Sequence, residues 1–298
     1  MKKVLLTGST GLIGKYAIQP LLEAGFEVFA VYSKAQEHES INNLNWVQAD
    51  LLNLSDIKAV FEKVKPEYLL HFAWDTRPGI YLEDNSNFDW VKSSLEMLKQ
   101  FKVQGGKRAV FAGTCFEYEF DYETIGIPLK EDAPLNPTST YAKCKNHLRE
   151  LAELYSMKND ISFGWGRIFY VYGEKEQEKR LIPFVINTLS QNKEFSTSAG
   201  ALIKDYMFAA DIAEGFVKFL DTDDVAGCVN ICTGTPVTIK DIVSLIAEKL
   251  DKQNLIKFED KVTKEPQRIL GDNTKLTNEI GFVPKYSLSQ GLDKVMKQ

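Results

Sequence analysis

The chain opens with a short apolar run, Lys3–Thr7 (KVLLT), that passes without a break into TGSTGLIG. Gly8, Gly11 and Gly14 recur at every third position, and a helical pattern begins inside the motif. Glycine permits the tight turn from strand to helix and lets a diphosphate come close to the backbone. The helix start then offers unpaired N–H groups and the positive end of its dipole to phosphate oxygens. A chain that begins this way is committed to a βα unit, and such a unit needs a parallel sheet to bury it.

The rest of the first half supplies that sheet. Glu27–Tyr32, Trp46–Ala49, Tyr68–Phe72, Arg108–Ala112 and Ser162–Phe169 read as strands, with helical patterns over Leu12–Ala24, Ser55–Val64, Asn87–Phe101 and Tyr141–Tyr155. The alternation predicts an α/β fold: a Rossmann-type doubly wound parallel sheet with helices on both faces. Beyond residue 170 the rhythm loosens. Arg180–Ser190, Ala209–Leu220 and Ile239–Leu250 read as helices and Cys228–Cys232 as a strand, with Thr238 and Asp241 as cap and first-turn acid of the last helix. The expected division is a dinucleotide-binding domain, 1–170, and a smaller C-terminal α/β region, 171–298, with the chain free to cross back. The charged stretch EKEQEKR (174–180) reads as a solvated loop or a flap beside a site.

Bulk properties exclude several functions. The formal charge is −5 and no long basic run is present, so nucleic acid is not an expected partner. No apolar run approaches the ~20 residues needed to span a bilayer. The apolar part of MKKVLL is too short for a secretory signal, so a cytoplasmic protein is expected. Cys115, Cys144, Cys228 and Cys232 have neither disulfide nor zinc-like spacing and read as free thiols, with no metal site.

Two further stretches bear on chemistry. In YAKCK, Tyr141 and Lys145 lie one helical turn apart on a shared face. An ammonium beside a phenol favours phenolate, which would lower the Tyr141 pKa and make it a usable acid or base. At the end of the second strand, NAD binding predicts an acid for the ribose 2′-OH. Here the strand ends VYSKAQ: Tyr32, Ser33 and Lys34 stand in that place, and the first carboxylate is Glu37. Ser33 and Lys34 suit a 2′-phosphate, which favours NADP over NAD. Asp50, followed by Leu51, is placed to accept from an adenine amine or to serve as a turn residue.

Taken together these motifs resemble the extended short-chain dehydrogenase/reductase family of NAD(P)-dependent nucleotide-sugar epimerases, dehydratases and reductases. The resemblance spans nearly the whole chain. It rests on TGSTGLIG, on the AD and L at 49–51, on LLHFAW at 69–74, FAGTCFEY at 111–118, PTSTYAKCK at 137–145 and GRIFYVYG at 166–173. RLIPFVI at 180–186, KDYMFAADIAEGF at 204–216 and VNICTGTPVTIKDI at 229–242 extend it. It implies that Gly8, Thr10, Gly11, Leu12, Ile13 and Gly14, then Tyr32, Ser33, Lys34, Asp50, Leu51, Phe72, Ala73 and Trp74, hold the cofactor together with Tyr141 and Lys145. It implies that Tyr141 is the catalytic acid/base, that Lys145 lowers its pKa and holds the nicotinamide ribose, and that the Thr114 hydroxyl holds the substrate oxygen. Trp74, Cys115, Phe116, Tyr170, Arg180, Lys204 and Arg268 are the implied contacts of a nucleoside-diphosphate sugar. A homodimer through Asn87–Phe101 and Tyr141–Tyr155 is implied as well.

Departures from the family pattern narrow the reaction. The 4,6-dehydratases carry Asp and Glu directly after the catalytic Thr. Here those positions are Cys115 and Phe116, and the next carboxylate, Glu117, has doubtful reach from a strand end. The family's frequent Asn in the preceding helix aligns with Trp90, with Asn87 one turn away, and the Asn before its tyrosine–glycine pair is Tyr170. The expectation is a reductase that takes hydride from NADPH to the keto carbon of a nucleoside-diphosphate 4-keto-6-deoxyhexose, with apolar Trp74, Phe116 and Phe169 suiting the sugar's methyl group. A nucleotide-sugar 4-epimerase is the alternative, and a dehydratase or a non-catalytic binding module less expected.

Overall fold

Seven parallel strands form the centre of the molecule, and the order in which they lie sets where a cleft can open. The computed structural model describes residues 1–34, 40–120, 127–259 and 265–297. β1 (Lys2–Thr7) leads through α1 (Gly14–Glu23) to β2 (Phe26–Tyr32) and β3 (Leu44–Gln48), which lie to one side of it. After α2 (Leu54–Val64) the chain crosses to the other side and lays down β4 (Tyr68–His71) next to β1. α3 (Ser86–Val103), β5 (Arg108–Thr114), α4 (Thr140–Lys158) and β6 (Ser162–Ile168) continue outward. The strand order therefore reverses between β1 and β4, the switch point at whose carboxyl edge open α/β sheets bind ligands.

The strands read as near-continuous apolar runs because both sheet faces are buried. Val4, Leu6, Val28, Leu70 and Val110 pack on one side with α1, and Leu5, Val31, Leu69 and Phe111 pack on the other with α2, α3 and α4. Local chemistry agrees at the helix ends. Asn53 caps α2 by accepting from the Ser55 N–H at 2.9 Å, and Lys65 closes it in the left-handed conformation.

Beyond β6 the chain builds a second body. β7 (Tyr170–Tyr172), α5 (Leu181–Ser190), β8 (Phe195–Thr197), β9 (Ile203–Lys204) and β10 (Tyr206–Phe208) come first. The chain then returns to the large sheet: α6 (Ala209–Asp221) packs against α1, and β11 (Gly227–Ile231) pairs with β6 as the edge strand. Residues 209–231 thus add one helix and one strand to the large sheet from beyond residue 170. β12 (Val237–Thr238), α7 (Ile239–Lys249), β13 (Ile256–Phe258), β14 (Arg268–Ile269), α8 (Thr274–Asn278) and α9 (Leu288–Met296) complete the chain. A separate core of Ile182, Val185, Phe208, Ile242, Ile246 and Leu292 holds α5, α7 and α9 together. Thr238 and Asp241 form the expected cap reciprocally, at 2.9 and 3.0 Å.

No helix among the described residues is long and apolar enough to cross a membrane. Among those residues no cluster of His, Cys, Asp and Glu is arranged to hold a metal ion, and the four cysteines are free thiols.

Arg108, at the start of β5, fastens α6 to the sheet. It is 1% exposed. Its guanidinium donates to the carbonyl oxygens of Phe219, Leu220 and Val225 at 2.6, 2.9 and 2.8 Å, at and just beyond the end of α6. Those carbonyls include ones that the helix cannot satisfy itself. Arg108→Met should leave them buried without donors and lower the unfolding free energy by about 3 kcal/mol, measured as a fall in the urea midpoint with unchanged slope.

Candidate active site

A cleft of about 790 Å³ opens along the carboxyl ends of β1, β4, β5 and β6. Its first end is the glycine turn. Gly8 has φ +68°, and a Cβ there would stand 2.8 Å from the Ala73 nitrogen. A Cβ on Gly14 would lie 2.1 Å from the Gly8 oxygen. The turn can exist only with glycine at both places: it brings Gly8 hard against the residues that follow β4 and the start of α1 hard against Gly8. No side chain caps α1, and its first turn carries no acid. Backbone donors and the helix dipole therefore face the cleft without competition, which fits the diphosphate of a dinucleotide. Thr10, Gly11, Leu12 and Ile13 line this end.

Beneath the turn runs a buried polar chain. The Ala73 N–H donates to Thr7 Oγ1 at 3.3 Å, Thr7 Oγ1 lies 2.6 Å from His71 Nδ1, and His71 Nε2 lies 2.9 Å from Ser94 Oγ. Burial, and then the Lys145 charge, push the imidazole down to about 3, so His71 is neutral at physiological pH.

The middle of the cleft holds the residues that sequence placed at the chemistry. Thr114 ends β5 and caps a short turn, accepting from the Phe116 N–H at 3.3 Å. Tyr141 enters from the first turn of α4, which Ser139 caps through the Ala142 N–H at 3.2 Å. Thr114 and Tyr141 both line the cleft. One turn further on, Lys145 Nζ donates to the Ala112 carbonyl at 2.8 Å and lies 3.7 Å from the centroid of the Trp74 ring.

The protonation of this pair corrects the expectation from spacing. Tyr141 is not acidified. Burial raises its pKa, Tyr81 adds to the rise, and the Thr114 side chain opposes it only in part. Lys145 is the group that moves down, to about 7, again through burial with Glu117 opposing. Both are almost wholly enclosed, so each favours its neutral form.

Glu117 faces away from the cleft. It is 0% exposed. It accepts from the Thr114 N–H at 2.9 Å, from Trp165 Nε1 at 2.9 Å and from Arg167 Nε at 2.8 Å. A carboxylate committed to a guanidinium and two further donors cannot serve as a base on a ligand in the cleft.

The structure also brings Phe72, Ala73, Trp74, Cys115, Phe116, Tyr170 and Arg180 to the cleft wall. The Phe116 and Tyr170 rings meet edge to face at 6.2 Å, and Tyr170 lies 5.2 Å from Tyr206. Burial pushes the Cys115 thiol up, which keeps it protonated. Arg180 donates to the Thr76 carbonyl at 2.9 Å and lies 5.2 Å over the Tyr81 ring.

Other sequence candidates lie elsewhere. Ser33 and Lys34 are exposed at the end of β2, Tyr32 stands 6.1 Å from Trp46, and Glu37 lies outside the described residues. Asp50 accepts from the Leu52 N–H at 2.9 Å as a turn residue, and Leu51 is in the core. Lys204 is 2% exposed and pairs with Glu265 at 3.6 Å. Arg268 sits in β14 with its Nε buried and unpartnered. Neither Lys204 nor Arg268 lines the cleft.

Sequence reading missed the loop Asp75–Leu82, whose Tyr81 packs edge-on against Tyr141 at 4.9 Å. Its only signal was the Pro78–Gly79 turn. Of the suspected flap, Lys175, Glu176, Gln177, Lys179 and Arg180 do line the cleft. Burial lifts the Glu176 carboxyl to about 7, and its Oε2 has no hydrogen-bond partner.

A parallel sheet with a glycine-built diphosphate cradle and a Thr–Tyr–Lys set at its switch point defines a Rossmann-fold protein of the dinucleotide-dependent kind. The profile of the NAD-dependent epimerase/dehydratase family matches residues 4–232, and the chain belongs to that family. It is similar to dTDP-4-dehydro-6-deoxyglucose reductase of Escherichia coli, with 26% identity over 99% of this chain and 96% of the relative. It is 25% identical to dTDP-6-deoxy-L-talose 4-dehydrogenase (NAD(+)) of Aggregatibacter actinomycetemcomitans, over 82% of this chain and 90% of that one. Among solved structures, UDP-glucose 4-epimerase of Thermus thermophilus, in complex with NAD, superposes with a TM-score of 0.86 at 20% identity, over 99% of this chain and 98% of that one.

The neutral His71 makes stability pH-dependent. Its folded pKa of about 3 lies below the ordinary 6.5, so between those values the unfolded chain binds more protons. From this group alone, stability should fall as pH drops below 6.5, by up to about 1.4 kcal/mol per pH unit. His71→Gln should flatten that slope in urea midpoints measured from neutral into acid pH.

Proposed function

We propose that the protein is an NADPH-dependent reductase of a nucleoside-diphosphate 4-keto-6-deoxyhexose, with NAD as the alternative cofactor. One observation carries this reading. Thr114 and Tyr141 share the cleft with Cys115 and Phe116, which stand where a dehydratase requires two carboxylates. A donor pair beside an apolar wall suits a keto group next to a methyl-bearing carbon. The similarity to two proteins named for 4-dehydro or 4-dehydrogenase chemistry on 6-deoxy sugars supports the same substrate class.

The bound nicotinamide supplies the hydride. The chain supplies the rest. Thr114 and Tyr141 hold the keto oxygen between two hydroxyls, so that charge arriving on it meets donors already in place. Burial keeps Tyr141 protonated, the state in which it can give its proton to that oxygen as the carbonyl becomes an alcohol. Lys145, one turn away, offers a positive charge to the phenolate left behind. Arg180 at the cleft mouth is the cation placed for the sugar diphosphate. Ser33 and Lys34, exposed at the end of β2, favour NADPH.

The exposed Phe88, Leu151, Leu154 and Met157 on α3 and α4 support a homodimer through those helices. Four free thiols suit a reducing, cytoplasmic location.

Incubation with NADPH and a dTDP-4-keto-6-deoxyhexose should consume one cofactor per sugar, followed at the nicotinamide absorbance band. Tyr141→Phe should lower kcat by roughly 10²–10⁴-fold. Turnover of an NDP-hexose with no added cofactor, through tightly held NAD, would instead assign a 4-epimerase. Lys34→Glu should raise the KM for NADPH much more than that for NADH. Met157→Glu should shift the sedimentation coefficient from that of a dimer to that of a monomer.

A further inference from the structure

Lys145 has a neighbour that its proposed role does not require. The Trp74 ring lies with its centroid 3.7 Å from Lys145 Nζ. That ring is anchored on three sides. Its Nε1 donates to Asn87 Oδ1 at 2.8 Å, Trp90 stacks on it at 6.1 Å and 27°, and Tyr141 meets it edge-on at 6.2 Å. Asn87 is 1% exposed, and its amide donates to the Tyr81 and Asp84 carbonyls at 2.7 and 2.8 Å, which turns its oxygen towards the indole.

An ammonium has three donors and no acceptor. One goes to the Ala112 carbonyl. A face-on indole is the strongest aromatic partner for a cation, and the contact gains strength where water is excluded. Such a contact favours the charged form of lysine against the burial that opposes it. Of the ionisable groups around the ammonium, Glu117 after β5 favours its charge but is shared with Arg167 of β6, while His71 on β4 is neutral and Tyr141 on α4 keeps its proton.

We infer that Trp74 is a positioning residue: its indole face, fixed by Asn87 and Trp90, favours the charged form of Lys145 and holds its Nζ in place beside Tyr141. This rests on the reading of Tyr141 and Lys145 as the acid and its partner. An indole that only filled space could be replaced by any apolar side chain of similar size without changing how Lys145 titrates.

The test reads that titration without using activity. The full chain is labelled with acetic anhydride from acid through alkaline pH, and acetylation of Lys145 is quantified by mass spectrometry. Trp74→Met, which keeps bulk but loses the π face, should lower the Lys145 midpoint by about one pH unit. Trp74→Phe, which keeps a weaker π face, should lower it less. An unchanged midpoint in Trp74→Met, with the parent's circular dichroism and melting temperature, would overturn the assignment. So would equal shifts in the two variants, since lost packing would then explain both. Should Trp74→Met fail to fold, Trp74→Phe decides alone: a small downward shift supports the role and no shift removes it. Where hydride transfer to a keto sugar is observed, its alkaline limb should move with the midpoint. A labelling shift in a protein that reduces no keto sugar would leave this assignment standing and defeat only the reductase reading.

Discussion

The buried pair of Glu117 and Arg167, 2.8 Å apart, is the constraint on which the reactive end of the cleft depends. Bringing two charges out of water is costly, and the cost is offset only when their remaining hydrogen-bonding capacity is met. Here it is met from several elements. Glu117 takes the Thr114 N–H and the Trp165 indole, and Arg167 donates to the Tyr118 hydroxyl and the Glu131 carbonyl, each at 2.9 Å. Tyr118 passes the network on to Asn230 Oδ1 at 2.7 Å, and Asn230 donates to the Leu129 and Asp272 carbonyls at 2.8 and 3.2 Å. The end of β5, strands β6 and β11, and the tail are thus joined behind the site. The direction of the Thr114 backbone is set by this interior network.

The opposite wall is assembled from loops, and these too are fixed by named contacts. Thr140 Oγ1 donates to Glu83 at 2.6 Å, and the Tyr141 N–H donates to the Leu82 carbonyl at 2.9 Å, so the loop carrying Tyr81 is tied to the start of α4. Arg180 reaches from the N-terminal end of α5 to Thr76. Tyr16 on α1 donates to Glu174 at 2.9 Å. The helix α1 therefore also holds one end of the 174–180 stretch that lines the cleft. Apolar packing also joins the two bodies at the site, where Cys115 and Phe116 after β5 meet Phe169, Tyr170 and Ile269.

What could be read in the sequence follows from the range of each interaction. The sheet was legible because strands buried on both faces leave runs such as VLL and YLLH that no surface segment would carry. The glycine turn was legible because its need for Gly8 and Gly14 is local. The two- and three-residue strands of the second body were not, since they are too short to show a period. The start of α9 carried a readable signal, Ser287 and Gln290 in a reciprocal cap at 3.3 and 2.9 Å, that went unused. Lys204 looked like a free cation only because Glu265, its partner, lies far along the chain. Trp74 and Lys145 meet through tertiary packing, and no spacing rule connects them. The glycine-turn, Thr114, Tyr141 and Lys145 positions were thus visible as motifs, while the groups that orient them were not.

The inverted expectation for Tyr141 is the most instructive of these differences. Spacing alone predicts a phenol made acidic by its lysine, yet burial acts on both groups and drives each towards neutrality. A coupled pair of this kind responds as a unit to charge that develops nearby. In the reduction proposed above, negative charge forming on an oxygen beside Thr114 would draw the proton from Tyr141, and the resulting phenolate would in turn favour the ammonium form of Lys145. The stabilisation would then be small before the reaction and large during it. Interactions that strengthen only on the way to the transition state are the ones that raise a rate. An enclosed, neutral-leaning pair meets that condition better than a preformed phenolate–ammonium pair, which would already have gained its attraction in the resting protein.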